Sequence, residues 1–357
     1  MGRIGGKIYA IALLLLMAAG ECLTVVYFAW TKAGTGVVAT AYAIGGFLLA
    51  IILAPTVHEL GHIVFAKAQG MRVVMTKFSF FSFWEENGKM RFSFASPFAA
   101  DQTQTIPLRG GNMKKRAELY TVGGLIFGGI YSAALLAGAF LVRSVSESAA
   151  FLFWGGVPYA AYLFFLNLPP FRYENGPTDT AVLQSIVSEA PAGKCLISAM
   201  EIHGKLAEGK SFSEIDEKFY FDIPQLPEDE PMYAIILDLR YRYYLERGET
   251  ERAADCLNRL ASAQPYLSKS DFEQTAAELT YMHALNGDAE RAEECAKLSR
   301  EYLEREDATA KRILAAYASV KGEKGKALSL KERALGLLDK KGIEGVKRFE
   351  KILLERL

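Results

Sequence analysis

The chain contains few of the residues that usually bind metals or form crosslinks: 357 residues include four histidines and four cysteines. The cysteines are far apart and share no C-x-x-C spacing, which argues against a cysteine-ligated metal and a disulfide framework. No basic stripe is dense enough to indicate a nucleic-acid partner. Any clustering of the four histidines is therefore informative.

The formal net charge of zero is an average over two unlike halves. Residues 1–170 hold thirteen Lys/Arg and seven Asp/Glu, whereas residues 171–357 hold twenty-eight and thirty-four. The first half is poor in charge and rich in apolar runs, and the second has the composition of a soluble protein. We therefore predict a mainly α protein: a membrane helix bundle of about four spans in residues 1–182, followed by soluble helices.

Four apolar runs predict the spans, at about residues 8–30, 37–66, 119–141 and 151–168. The first run follows two positive charges, as in a secretory signal peptide. It is longer than a typical signal-peptide core, and no small-x-small cleavage site follows it, so a retained helix is the favoured alternative. Glu21 inside this run is expected to be a paired structural carboxylate.

The polar segment 70–116 between the second and third runs is expected to form a β-hairpin loop. The aromatic stretches Phe78–Phe83 and Met90–Phe94 flank Asn87-Gly88, a dipeptide that favours a tight hairpin turn. Their aromatic face is too large for a free loop, so it is expected on the membrane surface or over a site. Two readings stay open: a purely structural interfacial hairpin, or one that also pairs with an extended substrate strand.

Positive charges predict the orientation of the spans. Residues 67–117 hold nine Lys/Arg, whereas the connections 31–36 and 142–150 hold one each. The positive-inside rule then places the N-terminus, the hairpin loop and the C-terminal half in the cytoplasm. The expected location is a cell membrane, which the chain crosses several times.

The second apolar run ends in His58-Glu59-Leu60-Gly61-His62, an H-E-x-x-H sequence. On a helix the two imidazoles project from one face and can bind one metal ion, and Glu59 lies beside them to accept a proton from water. The glycines that follow in the third run are interpreted as helix packing rather than chemistry. They are Gly123, Gly124, Gly128 and Gly129.

A catalytic zinc site uses three protein ligands and an open position for water, so a third ligand is needed. Asp179 and Glu174 are the acidic residues at the end of the fourth run, on the same side of the membrane as the motif. Asp179 is the favoured candidate, with Glu174 or neither as the alternatives. His203 and His283 are expected to be helix-surface residues and not ligands.

The soluble part divides into an amphipathic helix and linker at 183–230 and a helical domain at 231–357. A short sequence that begins with glycine and contains alanine recurs in the 231–357 domain. It starts at Gly248, Gly287 and Gly322, with spacings of 39 and 35 residues. It resembles degenerate tetratricopeptide repeats, which have a period of about 34 residues. The resemblance implies an α-helical array and a possible protein partner.

The first half resembles the site-2 protease family of intramembrane zinc metalloproteases, over about residues 37–182. The matching residues are T-V-H-E-L-G-H at Thr56–His62, then Gly123-Gly124 at the start of the third helix. Asn167-x-Pro169 follows, leading to Asp179 after the fourth helix. A hairpin loop separates the motif helix from the next one, as in that family.

This resemblance implies an enzyme that cuts single-span membrane proteins in or near the bilayer, at its cytoplasmic face. It implies that His58, His62 and Asp179 bind Zn²⁺ and that Glu59 is the base. Asn167 would support the site. The implied partners are the lipid bilayer and the membrane-protein substrate, with no nucleic acid.

The alternative is a catalytically inactive membrane scaffold that binds partners through its C-terminal repeats. It is motivated by Thr180, which follows Asp179 where the family usually has glycine. The two hypotheses differ in whether the metal site hydrolyses peptide bonds.

Overall fold

A computed structural model describes the mainly helical chain over residues 3–31, 36–86, 89–96, 101–173, 176–338 and 342–357. The chain forms two compact units. The first comprises residues 1–85, 90–106 and 114–189, and the second comprises residues 86–89, 107–113 and 190–357.

Four long apolar helices form most of the first unit. They are α1 (Arg3–Thr31), α2 (Gly36–Ala68), α3 (Met113–Arg143) and α4 (Glu147–Asn167). By length and composition each can cross a membrane, with the α1 candidate span at Gly5–Val26, so the prediction of four spans is confirmed. The helix α3 starts at Met113, earlier than the predicted limit near Leu119.

The apolar side chains of these helices are largely exposed. Leu16 on α1 is 67% exposed, Val37 on α2 is 86% exposed and Leu141 on α3 is 72% exposed. In a soluble protein, contiguous apolar surface of this extent would be covered by other residues. Here the surface matches what a helix bundle presents to lipid, which identifies the chain as a membrane protein.

Close backbone contact joins α2 to α4. A Cβ atom on Gly46 would lie 1.9 Å from the carbonyl oxygen of Leu152, and one on Gly155 would lie 1.9 Å from that of Ala43. Only glycine fits at both positions, as in other helix pairs that pack tightly in lipid.

The helix α2 continues through Pro55 for 33 residues. At about 1.5 Å per residue it is roughly 50 Å long and exceeds the hydrocarbon core of about 30 Å.

A four-stranded sheet lies between α2 and α3. Its strands are β1 (Met71–Phe78), β2 (Phe81–Glu86), β3 (Lys89–Phe94) and β4 (Gln102–Pro107), in the order β3-β2-β1-β4. The strands on either side of Asn87-Gly88 are neighbours, as predicted, and the turn itself lies outside the described residues. The aromatic stretch Phe78–Phe83 is not one strand, because Ser79 and Phe80 turn the chain between β1 and β2.

Phenylalanine rings cover one face of this sheet. The Phe83 and Phe92 ring centroids are 5.1 Å apart, and Phe81 lies 6.1 Å from both Phe92 and Phe94. Phe94 is 78% exposed. The sheet therefore presents an apolar surface, hereafter the phenylalanine face.

A short two-stranded ribbon leads from α4 to the next helix, α5 (Asp179–Val187). Its strands are β5 (Arg172–Tyr173) and β6 (Gly176–Pro177), which pair antiparallel. The amphipathic segment expected to be one helix is two, because α5 ends before Glu189, whose φ is +53°, and α6 begins at Pro191. Proline is tolerated at the first position of a helix but not inside one.

The second unit is helical. Its helices are α6 (Pro191–Ala207), α7 (Lys218–Phe221), α8 (Pro231–Arg247), α9 (Thr250–Ser262), α10 (Lys269–Leu285), α11 (Ala289–Leu298), α12 (Arg300–Leu303), α13 (Ala308–Val320), α14 (Lys324–Leu338) and α15 (Glu344–Glu355). Packed rings link early and late elements in its core: the Phe212 and Phe349 centroids are 4.9 Å apart. The connection 107–113 also belongs to this unit. There the amides of Gly110 and Gly111 donate to Glu208 and Glu201 at 2.8 and 2.9 Å.

The recurring glycines lie at equivalent turns. Gly248 lies in the turn after α8, Gly287 in the turn after α10 and Gly322 in the turn after α13, with φ angles of +78°, +77° and +78°. This left-handed conformation favours glycine and ends helices. Each glycine therefore marks a turn between two helices.

The two remaining histidines are less exposed than expected. His203 on α6 and His283 on α10 are half-buried rather than on the helix surface. Burial lowers the pKa of His203, and nearby Arg242 acts in the same direction, while Asp238 opposes it. His203 is thus favoured in its neutral form.

Candidate metal centre

His58 and His62 lie one helical turn apart on α2, where their side chains point into the unit. They are 7% and 5% exposed, although α2 as a whole is a strongly apolar helix. The i, i+4 spacing explains why both rings point to the same place. The sequence prediction that the two imidazoles share one face is confirmed.

Asp179 is brought to the two imidazoles by the start of α5. Thr178 caps this helix: its hydroxyl accepts from the amide of Ala181 at 3.2 Å and donates to the carbonyl oxygen of Pro169 at 2.8 Å. Asp179 Oδ2 then lies 3.0 Å from His58 Nε2 and 3.3 Å from His62 Nε2. Among the described residues these three form the group that could hold a metal ion.

The donor atoms fit a cation. The Nδ1–H of His62 donates to the carbonyl oxygen of Tyr120 at 2.9 Å, which leaves a lone pair on Nε2 of a neutral ring. Asp179 Oδ2 is buried and has no hydrogen-bond partner among the described residues. Lone pairs that face one another in a buried place repel unless a proton or a metal ion lies between them.

The spacing also fits zinc. Zinc bonds of about 2.0–2.1 Å in a tetrahedron place neighbouring ligand atoms about 3.3 Å apart. The distances of 3.0 and 3.3 Å from Asp179 Oδ2 to the two Nε2 atoms are close to that value.

Glycines on α3 make room for the histidines. A Cβ atom on Gly123 would lie 2.6 Å from the carbonyl oxygen of Gly61, so α2 and α3 touch through their backbones beside the motif. A Cβ on Gly124 would lie 2.3 Å from His62 Nε2. The packing role predicted for these glycines therefore has a second effect, since Gly124 keeps space open at the ligand atoms.

Glu59 is buried beside the two histidines, at 3% exposure. Its Oε2 accepts a hydrogen bond of 2.6 Å from the hydroxyl of Thr103 on β4. Sequence reasoning did not identify Thr103 or Tyr120. The alternation of Thr103 and Thr105 with glutamines is a strand signal, but it does not indicate that the strand reaches Glu59.

Asn167 is linked to the site through its backbone. Its side-chain amide donates to the carbonyl oxygen of Leu163 in its own helix at 3.3 Å. Its carbonyl oxygen accepts from the hydroxyl of Thr180 at 2.9 Å, next to Asp179. The alternative ligand Glu174 lies outside the described residues.

Comparison with protein-family models, curated proteins and solved structures finds no match for this chain. The function of the site therefore rests on the geometry of its own residues.

Proposed function

We propose that this protein is an intramembrane zinc metalloprotease of the site-2 protease type. Its substrates would be single-span membrane proteins, cut near the cytoplasmic face of a cell membrane. The observation that carries the proposal is the meeting of Asp179 Oδ2 with the Nε2 atoms of His58 and His62, beside Glu59. The histidines and Glu59 lie on α2, a helix apolar enough to cross a bilayer.

Each residue of the site has a separate role in the proposed hydrolysis. His58, His62 and Asp179 would hold Zn²⁺, which when bound would lower the pKa of the attacking water. Glu59 accepts a proton as the water oxygen bonds to the peptide carbon. When the C–N bond breaks, Glu59 passes that proton to the leaving amine. Peptide and water are thereby converted to an acid and an amine.

Two features of the sheet support a membrane-protein substrate. The strand β4 is at an edge of the sheet and carries Thr103, 2.6 Å from Glu59, so an extended peptide added to this edge would run beside the base. The phenylalanine face would lie on the bilayer surface, where its rings are covered by lipid. A helix must unwind to be cut, and an edge strand can hold it extended.

The proposed orientation has both termini in the cytoplasm. The sheet and its flanks carry most of the positive charge of the first half, which favours the cytoplasmic side. The first helix is proposed as a retained span. In its support, the Tyr9 hydroxyl donates to the carbonyl oxygen of Phe165 on α4 at 2.9 Å, and Gly20 packs on Pro158.

The test compares four purified full-length proteins in detergent: wild type, Glu59→Gln, Asp179→Ala and the control Glu118→Gln, an acid on α3 outside the site. Bound zinc and cleavage of a panel of single-span substrates are measured. We expect Glu59→Gln to keep zinc and lose cleavage, Asp179→Ala to lose both, and the control to match wild type. Wild type without zinc, or Glu59→Gln that cuts as fast as wild type, would refute the proposal.

A scaffold function is the second candidate. It is favoured by Gly248, Gly287 and Gly322, which turn successive helices in the same left-handed conformation, as an array of repeated helix pairs would require. Such an array, of tetratricopeptide type, would bind a protein partner in the cytoplasm. Zinc-loaded wild type that cuts no substrate in the panel, but retains a partner in a pull-down, would favour the scaffold.

A further inference from the structure

The catalytic base proposed above is held by a residue far from it in the chain. The Thr103 hydroxyl donates to Oε2 of Glu59 at 2.6 Å across a separation of 44 residues. Both side chains are buried: Glu59 is 3% exposed and Thr103 is 8% exposed. A hydrogen bond to a buried carboxylate is stronger than one in water, because few other donors compete for it.

Two further contacts fix Thr103 itself. The Thr76 and Thr103 hydroxyl oxygens are 3.0 Å apart. Thr103 has one hydroxyl hydrogen and gives it to Glu59, so Thr76 must donate in this pair. From the other side, the Tyr120 hydroxyl donates to the backbone carbonyl oxygen of Thr103. Thr103 is thus tied to β1 and to α3 as well as to the base.

The same residues also reach the metal ligands. The backbone carbonyl oxygen of Tyr120 accepts from His62, and its side chain holds the backbone of Thr103. One residue of α3 therefore orients a ligand and the strand that orients the base. The contacts of Thr103 and Tyr120, together with α2, therefore determine where Glu59 lies relative to the two histidines.

We propose that Thr103 is the positioning residue for Glu59 in the proposed hydrolysis, a role that rests on the proposed function. Its hydroxyl donates to Oε2 and holds the Glu59 carboxylate in one rotamer beside the two histidines. The carboxylate held in this way accepts the proton from water. Thr76 completes the arrangement by donating to Thr103.

The test uses full-length protein in detergent with the substrate that wild type cuts. Thr103→Val keeps the shape of the side chain and removes the hydroxyl, Thr103→Ser keeps the hydroxyl, and Thr76→Val removes only the donor to Thr103. Thr105→Val is the matched control on β4, where the hydroxyl donates to Met71 Sδ at 3.6 Å. Bound zinc, kcat and KM are measured for each.

We expect Thr103→Val to keep wild-type zinc and KM while kcat falls about 10- to 100-fold, the usual effect of losing a partner that orients an active-site group. Thr103→Ser should recover most of kcat. Thr76→Val should lower kcat less than Thr103→Val does, and Thr105→Val should leave it unchanged.

Several results would overturn the inference while leaving the proposed function in place. They are a Thr103→Val protein with wild-type kcat, a Thr103→Ser protein as impaired as Thr103→Val, or loss of zinc in step with loss of activity. The last two would assign Thr103 to packing or to the metal site. If Thr103→Val does not fold, Thr76→Val and Thr103→Ser decide by the same criteria. If wild type cuts the substrates no faster than Glu59→Gln does, both the proposed function and this inference are refuted.

Discussion

A Cβ atom added at Gly124 would lie 2.3 Å from Nε2 of His62 and 2.8 Å from Nε2 of His58. The absence of a side chain on this turn of α3 is therefore what leaves the two ligand atoms accessible. The same helix touches α2 at Gly61 and Gly123, so the two helices approach as closely as their backbones permit. Space at the proposed metal centre is thus a consequence of helix packing.

Gly124→Ala is expected to abolish zinc binding, because the new methyl group takes the place of the metal or displaces the imidazoles. Bound zinc per chain in purified protein measures the effect. The matched control is Gly45→Ala on α2, where a Cβ meets its nearest neighbour at an ordinary 3.7 Å. Zinc retained at the wild-type level in Gly124→Ala would show that the metal does not lie between these residues.

Removal of zinc is expected to destabilise the first unit. A ligand that binds only the folded state stabilises it by about 2.7 kcal/mol at a concentration a hundred times its Kd. The melting temperature of detergent-solubilised protein, followed by the fluorescence of the three tryptophans, should fall when a chelator is added and recover with zinc. Asp179→Ala should not respond to either. A chelator response that is the same in Asp179→Ala would place the zinc elsewhere.

A buried ion-pair cluster is expected to be needed for the stability of the second unit. Arg312 is 0% exposed, and it pairs with Glu278 at 2.9 Å and with Glu350 at 2.7 Å. Arg312→Met leaves two buried carboxylates without their partner, which costs about 3–5 kcal/mol. Hydrogen exchange of the α10, α13 and α15 peptides should therefore accelerate. Arg300→Met on α12, which breaks an exposed pair with Glu304, is the control and should not change it.

The second unit is expected to lose stability as the pH falls from about 7 to 5, in part through His203. Because its pKa is lowered in the folded state, the unfolded chain binds more protons in this range, and acid favours unfolding. One such group contributes at most about 1.4 kcal/mol per pH unit.

His203→Gln should weaken this pH dependence, measured by exchange of the α6 and α8 peptides after correction for the intrinsic rate. Equal pH dependence in wild type and His203→Gln would exclude His203 as a contributor.

The sequence predicts the parts of this structure that depend on local pattern. The apolar runs define the four long helices, and the spacing of His58 and His62 defines a shared face. The turn glycines at Gly248 and its equivalents follow from their φ requirement. Asp179 could be selected because acidic residues are scarce at the end of the fourth run.

Contacts set by register could not be predicted in the same way. Thr103 reaches Glu59 only because β4 lies next to β1, and nothing in residues 102–107 encodes that neighbour. Tyr120 was not predicted because its sequence position is simply that of an aromatic residue in an apolar helix. The break after α5 depends on Glu189 in a left-handed conformation, which is uncommon for glutamate and leaves no clear signal.

X-ray absorption at the zinc edge of the purified protein reads out the atoms bound to the metal. We expect about one zinc per chain, with nitrogen and oxygen neighbours at about 2.0–2.1 Å and no sulfur. In Asp179→Ala the signal should be lost with the metal. A protein without zinc, or zinc with sulfur neighbours at about 2.3 Å, would contradict a centre made by His58, His62 and Asp179.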